Sequence, residues 1–287
     1  MTEFYNDSPI ESVLDYLDVI IEYSQKEPSE LWYRGHRNQE WKLRPSIFRE
    51  VVLDMRNDGS VQPIRYKNFI DFINAVKKIK NANQQDRFNL FHYSFLAQHY
   101  GLPTPFLDWS TDPLVALYFA LDGYQYNDED NFPVVYILNP NRVNEHSMLN
   151  IFNSETNKVE DIREPFCVDD LEDNKFEEWL SDLNNTPFSL APFAVKSNYD
   201  LRSHRISRQS GVFTIHEARY LKSPEWFFRV DENGNSMGIA LKISPSKVST
   251  IREQLKVLNL THETVYGTEL TKTEEIVNRV LGEIYKI

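Results

Sequence analysis

Apolar positions recur along this chain with two periods, and the changes of period mark its elements. Ile10, Val13, Leu14, Leu17, Ile20 and Ile21 fall three and four apart, the spacing of one helix face. Ser8-Pro9-Ile10-Glu11 ahead of them has the form of a capping box with Pro in the first turn. The pattern predicts a helix running to about Gln25. Phe69, Phe72, Ile73, Val76 and Ile79 predict a second helix, and Phe88, Phe91, His92, Phe95, Leu96 and His99 a third. Pro113 opens a fourth, with Leu114, Leu117, Tyr118 and Leu121 on its apolar side, and two more close the chain over 246–258 and 271–284. Strands are predicted at Leu31–His36, Phe106-Leu107, 133–138, 188–195 and Val212–Ile215. A hairpin joins 226–230 to 238–243 through the turn Glu232-Asn233-Gly234-Asn235. Asn57-Asp58-Gly59-Ser60 reads as a surface loop. Residues 139–186 read as a polar insertion with a short helix near Phe176–Leu183.

With no repeat and no linker, this order predicts one α+β domain around a mixed or antiparallel sheet. It divides into a helical N-terminal arm over 1–30 and a main body over 31–220 that carries the insertion. A C-terminal hairpin and helices over 221–287 pack on the same domain.

The chemistry gathers where the period breaks. In QHYGLPTPFLDWSTDPLVALYFAL (Gln98–Leu121) Gly101 suits the residue after a helix end, and Pro103 and Pro105 bar a helix through the crossing. Asp112 or Thr111 before Pro113 is what a helix N-terminus needs. Asp108 and Ser110 lie too far upstream for that; a carboxylate and a hydroxyl beside Trp109 at the end of an apolar strand suit a pocket wall. His99 sits on the apolar stripe at its helix end, either as a hydrogen-bonded core residue or within reach of Asp108. In WYRGH (32–36) Arg34 is either a strand arginine in a structural ion pair or an anion clamp, with Gly35 letting a ligand approach the backbone. In RSHRISRQSGVFTI (202–215) Arg205 and Arg208 precede a strand, and Gln209 in the turn bonds locally or meets a ligand.

Composition narrows the partners. A net charge of −12 argues against a phosphate-binding surface over the whole protein, although His36 to Arg44 is locally basic. The single cysteine, Cys167, excludes an internal disulfide and a cysteine-built zinc site, and no metal is expected. No apolar run approaches the roughly 20 residues of a membrane span, and the acidic start lacks the order of a signal peptide, so a cytoplasmic location without a membrane partner is the expectation. No P-loop, dinucleotide-binding glycine motif, zincin helix or nucleophile elbow is present.

Three stretches, WYRGH, QHYGLPTPFLDWSTDPLVALYFA and RISRQSGVF, together resemble the FRG-domain family, named for its aromatic-Arg-Gly motif. That resemblance, over roughly 30–220, implies a bacterial or phage-associated protein with a role in phage–host conflict. The motif order is also similar, remotely, to the ADP-ribosyltransferase fold of the arginine–serine–glutamate class. By that likeness Arg34 grips the NAD phosphate, aided by Arg205, and Gly35 stands beside it. Ser110 and Thr111 belong to the second motif and Gln209 to the third. His99 would bond a ribose hydroxyl, Asp108 would supply the carboxylate and Gln209 would orient a protein acceptor. Gln209-Ser210-Gly211 departs from the class, because it holds no glutamate where charge develops at the ribose. The implied function is an ADP-ribosyltransferase-like or NAD glycohydrolase activity. Two alternatives stand beside it: a non-catalytic sensor that binds a nucleotide or peptide, and a phosphoester hydrolase using His99 and Asp108.

Overall fold

The computed structural model describes residues 6, 8–27, 29–49, 53–55, 61–63, 66–82, 88–126, 131–147, 150–153, 158–161, 163–169, 172–174, 192–198, 208–216, 236–267 and 272–285. Among these the strands are β1 (Trp32–His36), β2 (Leu53–Met55), β3 (Val61–Pro63), β4 (Phe106–Ser110), β5 (Val134–Leu138), β6 (Asn150–Asn153), β7 (Lys158–Asp161), β8 (Phe166–Cys167), β9 (Phe193–Lys196), β10 (Gly211–Ile215) and β11 (Gly238–Lys242). The helices are α1 (Val13–Lys26), α2 (Tyr66–Ala82), α3 (Leu90–His99), α4 (Pro113–Leu121), α5 (Pro140–Ser147), α6 (Val248–Val257), α7 (His262–Tyr266) and α8 (Lys272–Tyr285). Seven strands form one mixed sheet of order β11-β5-β1-β4-β10-β9-β8, antiparallel except for the β8/β9 pair. The fold is α+β.

Alternation along the strands sorts the side chains into two faces. Tyr33, Val135, Ile137 and Leu241 meet α1, α4 and α6 through Tyr16, Leu117, Ala120 and Ile251. Farther along the same face, Phe106, Phe213 and Val195 meet α2, α3 and α8 through Phe69, Phe95 and Val277. Phe95 stacks on Phe213 at 3.9 Å between ring centroids. The opposite face buries Trp32, Leu107, Trp109, Tyr136 and Val212, with Val143 of α5.

The middle of the sheet is the exception to regular pairing. β1 runs in register with β5 over its whole length, from Trp32↔Leu138 to His36↔Val134. With β4 it shares one register pair, Tyr33↔Ser110. β4 in turn follows β10 from Gly211↔Ser110 to Ile215↔Phe106. The sheet therefore divides between β1 and β4.

Several expectations need correction. The first helix is capped by Ser12, whose hydroxyl accepts from Asp15 N, rather than by Ser8. Ile10 is instead drawn into a parallel bridge with Ile243, donating to Lys242 O at 2.8 Å and accepting from Ser244 N at 2.8 Å. The extended segment at Phe106-Leu107 continues as β4 to Ser110. Part of 139–186 belongs to the main body. Asn144 of α5 is fully buried and bonds both backbone groups of Ala194, at 2.6 and 3.2 Å, and β8 extends the sheet. Of the predicted C-terminal hairpin, 238–242 is β11, while 226–230, the turn at 232–235, the short helix at 176–183 and the 57–60 loop lie outside the described residues.

α4 lies so close to β1 that a Cβ on Gly35 would stand 2.1 Å from Ala116 O and 2.4 Å from Ala120 N. Backbone atoms cannot yield as a side chain would. Gly35→Ala is expected to lose about 3 kcal/mol or more, the upper end of overpacking costs, or to fail to fold; urea unfolding of purified protein measures it, and wild-type stability in the variant would refute this account.

Candidate functional site

The division between β1 and β4 is held by side chains. Arg34 leaves β1 on the face opposite Asp108, yet the two meet across the parted strands. Arg34 Nη1 lies 2.8 Å from Asp108 Oδ1 and donates to Asp108 O at 2.5 Å. The guanidinium thus supplies β4 with a donor where a paired strand would supply a backbone amide. Arg34 Nε donates to His36 Nε2 at 3.0 Å. Nη2 makes no hydrogen bond among the described residues, and the side chain is 11 % exposed. Asp108 is half exposed at 50 %, and its Oδ1 also accepts from Gln98 Nε2 at 2.9 Å. Thr104 fixes that amide by donating to Gln98 Oε1 at 2.6 Å.

Downstream, Ser110 ties strand ends together. Its hydroxyl donates to Gln209 O at 2.7 Å and accepts from Asp112 N at 2.9 Å. Thr111 N donates to Ser210 O at 3.0 Å, with Ser210 in the left-handed region at φ 47°. Asp112 caps α4 as expected, accepting from Leu114 N and Val115 N. The Gln209 side chain is buried and donates to Val265 O of α7 at 3.3 Å.

Together these groups border a cleft of about 590 Å³. Arg34, Gly35, Asp108, Ser110 and Gln209 all line it, so three stretches remote in sequence meet at one hollow. Thr111 is not among its lining residues. The His99 side chain and Arg205 lie outside the described structure; His99 is placed only as the last residue of α3. Gly35 turns its missing Cβ toward α4, so close packing by itself requires glycine there, and the residue also lines the cleft.

The structure adds residues that sequence patterns did not single out for the site. Arg37, Lys42, Arg44 and Arg49 join Arg34, against the carboxylates of Glu40, Asp108 and Asp122. A cationic excess gathers here in a chain of net charge −12. The basic run from His36 to Arg44 was the available signal; nothing in the sequence marked Arg49. Gln98 of α3, adjacent to His99, reaches Asp108. Phe119 and Tyr266, 5.7 Å apart and nearly perpendicular, also line the cleft, and Tyr266 donates to Asp122 Oδ2 at 2.9 Å.

Two buried histidines flank this charge. Burial, reinforced by the guanidinium groups of Arg34 and Arg49, holds His36 well below the usual imidazole value. Its Nε2 accepts from Arg34, which puts the proton of the neutral ring on Nδ1. Burial and then the Arg34 charge push His216 down to about 3. Trp109 Nε1 donates to Thr214 Oγ1 at 2.9 Å, and the Thr214 hydroxyl and His216 Nε2 share a hydrogen bond at 2.9 Å.

Among the described residues no group of three histidine, cysteine or carboxylate side chains is placed to hold a metal ion, and no helix is long and apolar enough to cross a membrane.

Residues 29–129 match the family model of the FRG domain, so the chain carries an FRG domain. The matched span runs from β1 through α4 and includes Arg34, Gly35, Asp108 and Ser110; Gln209 and α7 lie beyond it. No curated protein and no solved structure matches the chain.

The histidines set a pH dependence. An unfolded histidine takes up a proton near 6.5, whereas folded His216 does so only at about 3. Its contribution to stability is therefore complete above pH 6.5 and lost as pH falls below it, at up to about 1.4 kcal/mol per pH unit. Urea unfolding at pH 7.5 and 5.5 measures the loss, and His216→Gln is expected to reduce the slope; an unchanged slope would contradict the assignment.

Proposed function

We propose that this FRG protein is an ADP-ribosyltransferase-like enzyme that takes NAD into the cleft between β1 and β4. One observation carries the reading: a nearly buried guanidinium, with Nη2 unengaged and a carboxylate beside it, faces a cationic hollow in an acidic protein. Arg44 Nε, buried and without a hydrogen bond among the described residues, adds a second donor suited to an anion. NAD would supply the ADP-ribosyl group and release nicotinamide with the glycosidic bonding pair. Arg34 Nη2, with Arg44 and Arg49, holds the diphosphate. Asp108 stabilises positive charge developing at the ribose carbon. The Gln209 amide orients an acceptor whose oxygen or nitrogen bonds to that carbon and gives up its proton; with water the outcome is NAD hydrolysis. Ser110 is structural, since its hydroxyl is engaged on both sides. The likeness to ADP-ribosyltransferases rests on motif order.

A second reading is binding without turnover. It is favoured by the Asp108 carboxylate, whose Oδ1 already answers both Arg34 and Gln98. The hydrolase reading turns on the His99 side chain, which lies outside the described residues, while Gln98 is bonded to Asp108. The phage–host role implied by the resemblance predicts that expression of the intact chain, and not of Arg34→Ala, changes phage plaque counts.

Calorimetry with NAD, paired with detection of free nicotinamide by NMR, separates these readings. Arg34→Ala is expected to weaken NAD binding about tenfold or more, as loss of a charge-assisted contact does. Asp108→Asn is expected to retain binding and lower nicotinamide release about a hundredfold or more. Native binding without release would establish the non-catalytic reading, and neither binding nor release would refute both.

A further inference from the structure

The cleft has a second feature that a dinucleotide alone does not explain. From Arg37 to Arg49 its rim carries Arg37, Lys42, Arg44 and Arg49, with Trp41 among them. Trp41 is 46 % exposed, although a large aromatic ring gains by burial. It is also held in place. Arg37 Cζ lies 5.2 Å from the centre of its ring, and His36 meets it edge-on at 6.1 Å. Arg49 is tethered through Nε to Arg44 O at 3.2 Å. The rim is thus a fixed indole, open to solvent over nearly half its surface, beside a row of cations.

We infer that this rim binds single-stranded nucleic acid, with one base stacked on Trp41 and the neighbouring phosphates on Arg37 and Lys42, leaving Arg34, Arg44 and Arg49 to the diphosphate. Base stacking on an exposed aromatic ring combined with a tracking row of cations is how proteins hold single strands without reading their sequence. An acidic peptide would satisfy the cations and leave the indole face unused. A duplex would hide its bases from the ring. The net charge of −12 repels a polyanion from the rest of the surface and concentrates binding on this rim. Glu40, also on the rim, limits the density of charge. The inference names the macromolecular partner of the same cleft and so builds on the function proposed above, but it requires no NAD turnover.

Fluorescence anisotropy of labelled single strands of about 12 nucleotides, ribo- and deoxy-, with the intact protein and no NAD, tests it. Binding near 50 mM salt is expected to weaken as salt rises, with a log–log slope of about −0.7 for each phosphate engaged. Trp41→Ala is expected to weaken binding about fivefold or more, and Trp41→Phe to restore most of it. Lys42→Ala is expected to reduce the salt slope by about the share of one phosphate. A thermal melt of each variant confirms that Trp41, already half exposed, is not required for folding. Absence of strand binding, or binding indifferent to Trp41→Ala, would overturn the inference. So would a polyglutamate peptide or a duplex that binds more tightly than the single strand. NAD binding without strand binding would leave the proposed function standing and remove this inference alone; strand binding without NAD binding would do the reverse.

Discussion

The molecule depends on one close approach: α4 presses its backbone against β1 at a residue with no side chain. Every other residue type at position 35 would drive Ala116 and Ala120 away. With the helix this near, its N-terminus falls at the end of β4, where Asp112 caps it and Ser110 bonds the Asp112 amide. Tyr16, wholly buried, secures the same end by donating to Pro113 O at 2.9 Å. Arg252 secures the other, donating to the carbonyl groups of Leu121 and Tyr124, where a cation also complements the helix dipole. The glycine of the aromatic-Arg-Gly motif is therefore a packing residue, and its arginine is the one that reaches across the cleft to Asp108.

The opening in the sheet follows from the same arrangement. β1 stays with β5 and β4 stays with β10, so the two halves touch at Tyr33 and Ser110 and then part. An open seam in a buried sheet would leave backbone groups without partners. Arg34 meets part of that need through Asp108 O and keeps donors in reserve. A guanidinium suits this double duty because its donors are rigid and spread in a plane. The neutral state of His36 belongs to the same logic: a protonated ring beside Arg34 would set two cations against each other. Structural demand and ligand capacity thus reside in one side chain, and loss of Arg34 would perturb the seam as well as the cleft.

Much of the fold was legible because burial imposes periodicity. α2, α3, α4, α6 and α8 and the strands β1, β5 and β10 stand where their apolar spacing put them. Failures came where a tertiary contact outweighed a local signal. Ser8 and Pro9 looked like a helix start, but Ile10 gains a strand partner 233 positions away in Ile243, and the helix begins after Ser12. α7, five residues long, is too short to show a period. Within 139–147 the burial of Val143 and Asn144 was invisible because α5 is polar overall and its asparagine is satisfied by Ala194. At the site, residue types at breaks of pattern, Arg34, Asp108, Ser110 and Gln209, could be found one stretch at a time. That β1 and β4 diverge, that Gln98 holds Asp108, and that the segment from Arg37 to Arg49 folds onto the same hollow depends on pairing that no single stretch encodes.

The bridge between Ile10 and Ile243 bears on how the protein is made. Val13 N also donates to Gln254 Oε1 at 2.8 Å, and β11 is the outermost partner of β5. On the ribosome, the first helix can meet α4 once Pro113 and the residues after it have emerged, but the contacts to Ile243 and Gln254 that fix its start must wait for β11 and α6. Such long-range closure slows folding and prolongs the time during which unpaired strand edges are exposed. During synthesis the half of the sheet containing β1 is therefore the last to be sealed, and nascent chains stalled before residue 238 would present β5 as an open edge to chaperones and proteases.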